Sequence, residues 1–204
     1  MAKKKEQKEM AGDYEVLQKM RLGGKVLIFG HNPNDTESPY MTCYQQPGFW
    51  GGYMYPDAVG SADYFEIMQT FLSRLQEQAK VVETFREERK VPFVTLGREH
   101  CRTRGEKENL EGKLIVLWPS SLAPEYRTSD CQLGFALGGF GCTPGSGGRA
   151  VYFEELFSGE QCRWEINDVM GIADPDKLPD WAKEKLAEHE KSRDLAKKKH
   201  EPER

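Results

Sequence analysis

Chemistry in this chain would have to come from five cysteines, four histidines, a few paired carboxylates and one glycine-rich run. The run from Gly138 to Arg149, GGFGCTPGSGGR, has the composition of a phosphate loop. Such a loop needs Lys-Ser or Lys-Thr after its last glycine, then a helix whose N-terminus faces the anion. Here arginine follows, then a strand-like segment, and the glycine spacing of a dinucleotide fingerprint is absent. A connection between strands is the plainer reading. The alternative is a backbone nest that holds an anion beside Arg149. Glu99-His100-Cys101 places an acid, an imidazole and a thiol in a row. Adjacent residues of an extended chain point to opposite faces, however, so His100 does not activate Cys101. No two cysteines have the short spacing of a zinc knuckle, Cys131 and Cys142 included. His31 and Cys43 flank one loop, but nothing marks the third group that would orient such a pair. Glu87-Glu88 and Glu154-Glu155 read as solvated surface, because consecutive residues do not share a face. No catalytic residue, metal ligand or cofactor is assigned.

Binding is the other kind of chemistry. Exposed aromatics beside basic residues are the mark of a single-strand nucleic-acid surface. Trp50, Tyr53, Tyr152 and Trp164 are the possible stackers, although alternation packs Trp164 against Phe153 and sends most of them to the core. The residues named for a binding surface are Arg149, Tyr152, Arg163 and Trp50. Lys3-Lys4-Lys5 and Lys197-Lys198-Lys199 could touch phosphates, but glutamates accompany them and solvated tails are the plainer reading. A net charge of -4 and a pI near 5.7 exclude a basic field over the whole protein, so nucleic-acid binding would need a local patch.

The elements that must position these residues are read from periodicity. Residues 1–12 are expected to be a disordered, charged tail. Glu15 to Met20, Gly23-Gly24 and Val26 to Phe29 read as an element, a turn and a buried strand. His31 to Pro39 is loop chemistry. Tyr40 to Tyr55 suits a pleated surface with a hairpin turn at Pro47-Gly48. Ser61 is expected to cap a helix over about 61–89, with apolar residues at Tyr64, Phe65, Met68, Phe71, Leu72, Leu75, Ala79, Val82 and Phe85 on one face. Val91 to Leu96, Leu114 to Trp118 and Leu133 to Leu137 read as strands, with a charged loop from Gly97 to Gly112.

Arg149 to Ile166 carries the most detailed expectation. A two-residue turn at Ser158-Gly159 places Phe153 opposite Trp164, Val151 opposite Ile166 and Glu154 opposite Arg163. Asp174-Pro175 and Leu178-Pro179-Asp180-Trp181 then start a helix docked by Trp181 and Leu186. Past Glu188 the pattern is nearly all charge.

The 204 residues suit one medium domain or two small ones. The first ten residues lead into no apolar h-region, no stretch approaches the roughly 20 apolar residues of a membrane helix, and scattered cysteines suit reduced thiols. A cytoplasmic protein without membrane contact is expected. The sequon at Asn34-Asp35-Thr36 is then fortuitous.

One block is familiar. LIVLWPSSLAPEYRTSDCQL, GGFGCTPGSGGRAVYFEELFSGEQCRWEINDVMGI and LPDWAKEKL, within residues 114–186, resemble uncharacterised proteins encoded on conjugative and other mobile elements of gut Firmicutes. The resemblance implies a setting of DNA transfer, replication and defence evasion and carries no activity. The helix at 61–89 is outside it.

These readings converge on an α+β fold: a curved, mostly antiparallel sheet, one long amphipathic helix packed on it, and a peripheral C-terminal helix. The expected organisation is a tail at 1–12, one domain at 13–178, and a helix with a charged tail at 179–204. The leading functional expectation is a non-enzymatic accessory protein of a mobile element that acts through protein contacts. A nucleic-acid-binding module is the second, and a small enzyme with a site near Cys142 or His31 is the third.

Overall fold

The computed structural model describes residues 8–200, with side chains as far as Lys191 apart from Glu190. It is α+β, and all its strand pairings are antiparallel. The chain divides into two compact units, Met1–Lys90 and Val91–Arg204, each with its own six-stranded sheet. The sequence reading had placed one domain and one sheet over 13–178. Periodicity locates strands but does not say which of them pair.

In the first unit the sheet runs β1 (Met10–Ala11), β2 (Tyr14–Leu22), β3 (Lys25–His31), β4 (Tyr40–Pro47) and β5 (Tyr53–Met54), and β6 (Val59–Ser61) also pairs with β4. Met10–Ala11 corrects the expected tail: the strand is ordered, with Ala11 buried against Ile28, Met41 and Cys43. Lys3-Lys4-Lys5 lie outside the described residues. Gly23-Gly24 close β2 on β3 with φ of 61° and 80°, the left-handed pair that a two-residue hairpin turn requires. Leu27, Phe29 and Tyr44 face the helix α1 (Tyr64–Arg89), where Ile67 and Phe71 complete the core. Ile28 and Cys43, of opposite parity, pack on the other side of the sheet.

Asp63, not Ser61, caps α1: its carboxylate accepts from the N–H groups of Phe65 and Glu66. Ser61 is still paired in β6, and its hydroxyl donates to Glu66. Lys90, left-handed at φ 50°, ends the helix before Pro92. Between β3 and β4 the Asp35 carboxylate accepts from the N–H groups of Glu37 and Ser38 and from the Tyr14 hydroxyl, which organises the loop at 32–39.

In the second unit the order is β11 (Gln161–Glu165), β10 (Ala150–Glu155), β9 (Leu133–Gly138), β8 (Leu114–Leu117), β12 (Val169–Ala173) and β7 (Cys101–Arg102). Bulges in β10 and β12 bend this sheet, as one in β2 bends the first. Leu96, Leu114, Val116, Leu133, Phe135 and Leu156 fill its core with Leu178 and Ala182. The short helix α2 (Ser129–Gln132) precedes β9.

Val91 to Leu96 is not a strand. Its last residue, Leu96, is held by the Gln132 side chain, whose oxygen accepts from Leu96 N–H at 2.7 Å and whose amide donates to the carbonyls of Leu96 (3.1 Å) and Leu117 (2.9 Å), while Val94 C=O accepts from Ser129 N–H at 2.7 Å. A buried side chain supplies the partners that a neighbouring strand would.

The hairpin at 149–166 forms, but its register moves by two residues: Val151 opposes Trp164, Phe153 opposes Cys162, and Tyr152 opposes Arg163. The turn is longer than expected. Glu155 N–H bonds to Glu160 C=O and Gly159 N–H to Glu155 C=O, so Leu156 to Gly159 form the loop, with Gly159 at φ 72°. Leu156 is 8% exposed, so the loop tucks an apolar residue into the core, as a two-residue turn could not. A shift of two keeps every side chain on its expected face. Glu154 meets Gln161 in place of Arg163.

The C-terminal helix α3 (Asp180–His200) docks through Ala182, Trp181 and Leu186, and His189 extends the contact by stacking on Phe135 at 4.1 Å. The side chains of Lys197-Lys198-Lys199 lie outside the described set.

Candidate functional site

The first unit carries a groove of about 570 Å³ at the Gly23-Gly24 end of its sheet. Lys19, Arg21, Lys25, Tyr44, Pro47 and Tyr53 line it, with backbone and amide groups of Gly24, Gln45 and Gln46, and no carboxylate takes part. Strand geometry explains the cluster. Lys19 and Arg21 are two residues apart on β2, so they share the face opposite α1 with about 7 Å between their α-carbons. Lys25, the partner of Leu22 at the start of β3, stands at the same end of the sheet but on the α1 side with Tyr44, so the lining wraps around the Gly23-Gly24 end.

Aromatic rings meet these cations. Lys19 Nζ stands 5.8 Å from the Tyr53 ring centre and Lys25 Nζ 4.8 Å from that of Tyr44, both within cation–π range. Lys19 also pairs with Glu9. Among the described residues no carboxylate pairs with Arg21 or Lys25. Arg21 and Lys25 make this concave surface favourable to an anion, and Tyr53, 60% exposed, offers a ring to a planar group, whereas Tyr44 is 8% exposed and packed in the core.

The loop at 48–52 springs from this groove, between Pro47 and Tyr53. Gly48 and Gly52 close its base, with Gly48 N–H bonded to Gly52 C=O at 3.0 Å. Phe49 and Trp50 occupy its tip, 87% and 94% exposed, with their rings edge to face at 5.0 Å. Trp50, named from the sequence, is thus a free aromatic surface, as are Tyr53 and Tyr152 at 60% and 53% exposure. This corrects the expectation that most of the aromatic candidates belong to the core. Only Trp164 is half-buried, and it packs opposite Val151, not Phe153.

The remaining binding candidates belong to the second unit. Tyr152 and Arg163 are cross-strand neighbours, and Arg149 is exposed just before β10. Their surface is mixed in charge: Glu165 lies 3.9 Å from the Arg163 guanidinium, and Glu154 is on the same hairpin. The glycine-rich run joins β9 to β10 and leads into no long helix. Arg104 donates to the carbonyls of Gly141 (3.1 Å) and Cys142 (2.7 Å), so that turn directs acceptors at a cation, the reverse of an anion nest.

Thiol chemistry finds no support in the geometry. Cys43 and Cys142 are fully buried. Burial pushes the Cys43 thiol up to about 11 and raises that of Cys142, which donates to Gly138 C=O. His31 pairs with Tyr40 and stacks on its ring, three positions along from Cys43's partner Ile28. His100 accepts from Gly97 N–H through Nδ1, and desolvation raises the Cys101 thiol. Glu154 and Glu155 are half-buried, not fully solvated, and Glu155 accepts from the Ser158 hydroxyl in the hairpin loop. Glu87 and Glu88 are exposed. Among the described residues, no group of three or more His, Cys, Asp or Glu is placed to hold a metal ion.

Lys19, Arg21 and Lys25 did not emerge from the sequence. Their signal was there: cations two apart on a strand face, then Gly-Gly and a third cation, which a two-residue turn places at the same end of the sheet.

No protein-family model matches the chain, and no curated protein or solved structure matches it. No described helix is long and apolar enough to cross a membrane.

Proposed function

We propose that this protein is a non-enzymatic nucleic-acid-binding module whose binding surface is the groove of its first unit. One observation carries the reading: Lys19, Arg21 and Lys25 line a concave surface with the exposed Tyr53, and among the described residues only Lys19 of the three has a carboxylate partner, in a chain of net charge -4. Phosphates neutralise such cations and release counterions, while the Tyr53 ring takes a sugar or base face. The resemblance of residues 114–186 to mobile-element proteins supports the same reading, since DNA transfer and replication are frequent tasks there.

The test is fluorescence anisotropy of labelled oligonucleotides over a salt series. Binding should weaken steeply with salt. Arg21→Glu with Lys25→Glu should abolish it, and neutral Arg21→Gln with Lys25→Gln should lower the log–log salt slope by roughly two. An unchanged slope in the neutral variant counts against the groove, and no binding at low salt counts against the function.

A second reading, an accessory protein acting through protein contacts, draws on α1. Phe65 and Leu72 lie seven residues apart on it at 65% and 50% exposure, an apolar stripe of the kind that meets another helix. Co-purification that Phe65→Lys with Leu72→Lys abolishes would favour it.

A further inference from the structure

We infer that the loop at 48–52 makes the groove selective for unpaired bases, so that its ligand is single-stranded nucleic acid. The inference rests on the nucleic-acid reading and adds the substrate class. Phe49 and Trp50 together are the most exposed large apolar pair in the described structure, at 87% and 94%. Exposure of this kind costs solubility and contributes nothing to the core, since neither ring belongs to a packed cluster of the sheet.

Their position relative to the cations selects the occupant. The loop leaves the sheet at Pro47 and returns at Tyr53, and both residues line the groove. A strand whose phosphates lie along Lys19 and Arg21, on the face that Tyr53 shares, therefore has its bases within reach of Tyr53 and, beyond it, of the tip. The edge-to-face arrangement of Phe49 and Trp50 leaves ring faces open for stacking. Duplex DNA keeps its base faces in its own stack, and a protein must pay unstacking energy to reach them. A strand already unpaired offers them at once.

An anionic membrane is the other surface that takes an exposed Trp-Phe tip beside cations. The cations here line a concave groove and not a flat surface. A thin chain enters such a groove, whereas a flat headgroup layer meets its rim first.

The experiment uses the full chain and four probes of known chemistry: a labelled 20-nucleotide oligo-dT, an abasic strand of the same length, a 20-base-pair duplex, and vesicles of phosphatidylcholine with phosphatidylserine. Oligo-dT should bind about tenfold more tightly than the abasic strand, the scale of one stacked base. Phe49→Ala with Trp50→Ala should remove most of that difference, with a larger loss for oligo-dT than for the abasic strand, and Trp50→Tyr should restore most of it. Both side chains are exposed, so unchanged thermal melting of these variants is expected and serves as the control. Equal affinity for oligo-dT and the abasic strand, or a preference undiminished by the double substitution, overturns the inference and leaves the phosphate groove standing. Tryptophan emission that shifts to the blue with vesicles but does not respond to oligo-dT also overturns it and makes the tip a membrane anchor. Failure of every nucleic-acid probe to bind sinks the underlying reading as well.

Discussion

Glu108 shows how single residues hold the connections of the second unit. Its carboxylate accepts from both terminal nitrogens of Arg102 at 2.8 and 2.7 Å, from Gly105 N–H at 3.1 Å, and pairs with Lys113. The bidentate bond from Arg102, reinforced by Lys113, drives its pKa far below the carboxylate range. A carboxyl depressed in the folded state stabilises the fold above the unfolded value of 4.5 and loses that contribution as pH falls below it. Asp35 and Asp174 are depressed in the same direction, by the Ser38 N–H and by Lys177 respectively. Melting temperature should therefore drop on acidification, and Glu108→Gln should lower it at neutral pH while flattening its fall below about pH 4.5. A melting curve across pH checks this, and parallel pH profiles for wild type and variant would contradict it.

Among the elements, the segment at Val91 to Leu96 ends on a side chain in place of a neighbouring strand. Gln132 is fully buried and spends both ends of its amide on main-chain groups. Gln132→Leu fills the same space and orphans Leu96 N–H and two carbonyls. The expected loss is on the order of 3 kcal/mol, measured by urea unfolding, because a buried unsatisfied polar group costs about 1–3 kcal/mol. Gln132→Glu keeps the acceptor for Leu96 N–H and turns a carboxylate on the two carbonyls, so it should be at least as damaging. The same segment explains a misreading. Val-Pro-Phe-Val-Thr-Leu has strand composition, yet Phe93 is 64% exposed and only Leu96 of the run is buried. The hairpin was legible in kind and in facing, because alternation of Val151 and Phe153 against Tyr152 fixes parity. Its register was not, because the four-residue loop depends on where Leu156 finds burial.

Across the whole molecule, the division at Lys90 separates two cores with no shared member. Leu27, Phe29, Tyr44, Ile67 and Phe71 belong to the first unit, and Leu96, Val116, Leu133, Phe135 and Ala182 to the second. Residues 1–90 expressed alone should retain mixed helix and strand signal in circular dichroism, melt cooperatively, and bind oligonucleotides with the affinity of the full chain. Non-cooperative melting would mean that the first sheet and α1 do not make a sufficient core by themselves.

The sequence by itself determined the α+β class, the long helix, most strands and the facing of the 149–166 hairpin, but not the exposure of Phe65 and Leu72, which it placed on the helix's apolar face. These follow from local periodicity and from turn residues such as Gly23-Gly24 and Gly159, whose backbone needs are local. It also placed Trp50, Tyr53 and Tyr152 among the aromatics worth testing for binding. Tertiary structure decided which strands pair, and so that there are two sheets, that Met10–Ala11 joins one of them, and that Cys43 and Cys142 are sealed in apolar surroundings. It decided the groove as well: a local strand face set Lys19 and Arg21 side by side, but Tyr53 meets Lys19 only because β3, β4 and β5 pair in that order beside β2. Exposure, like pairing, is a property of what the rest of the chain leaves uncovered, and no local pattern encodes it.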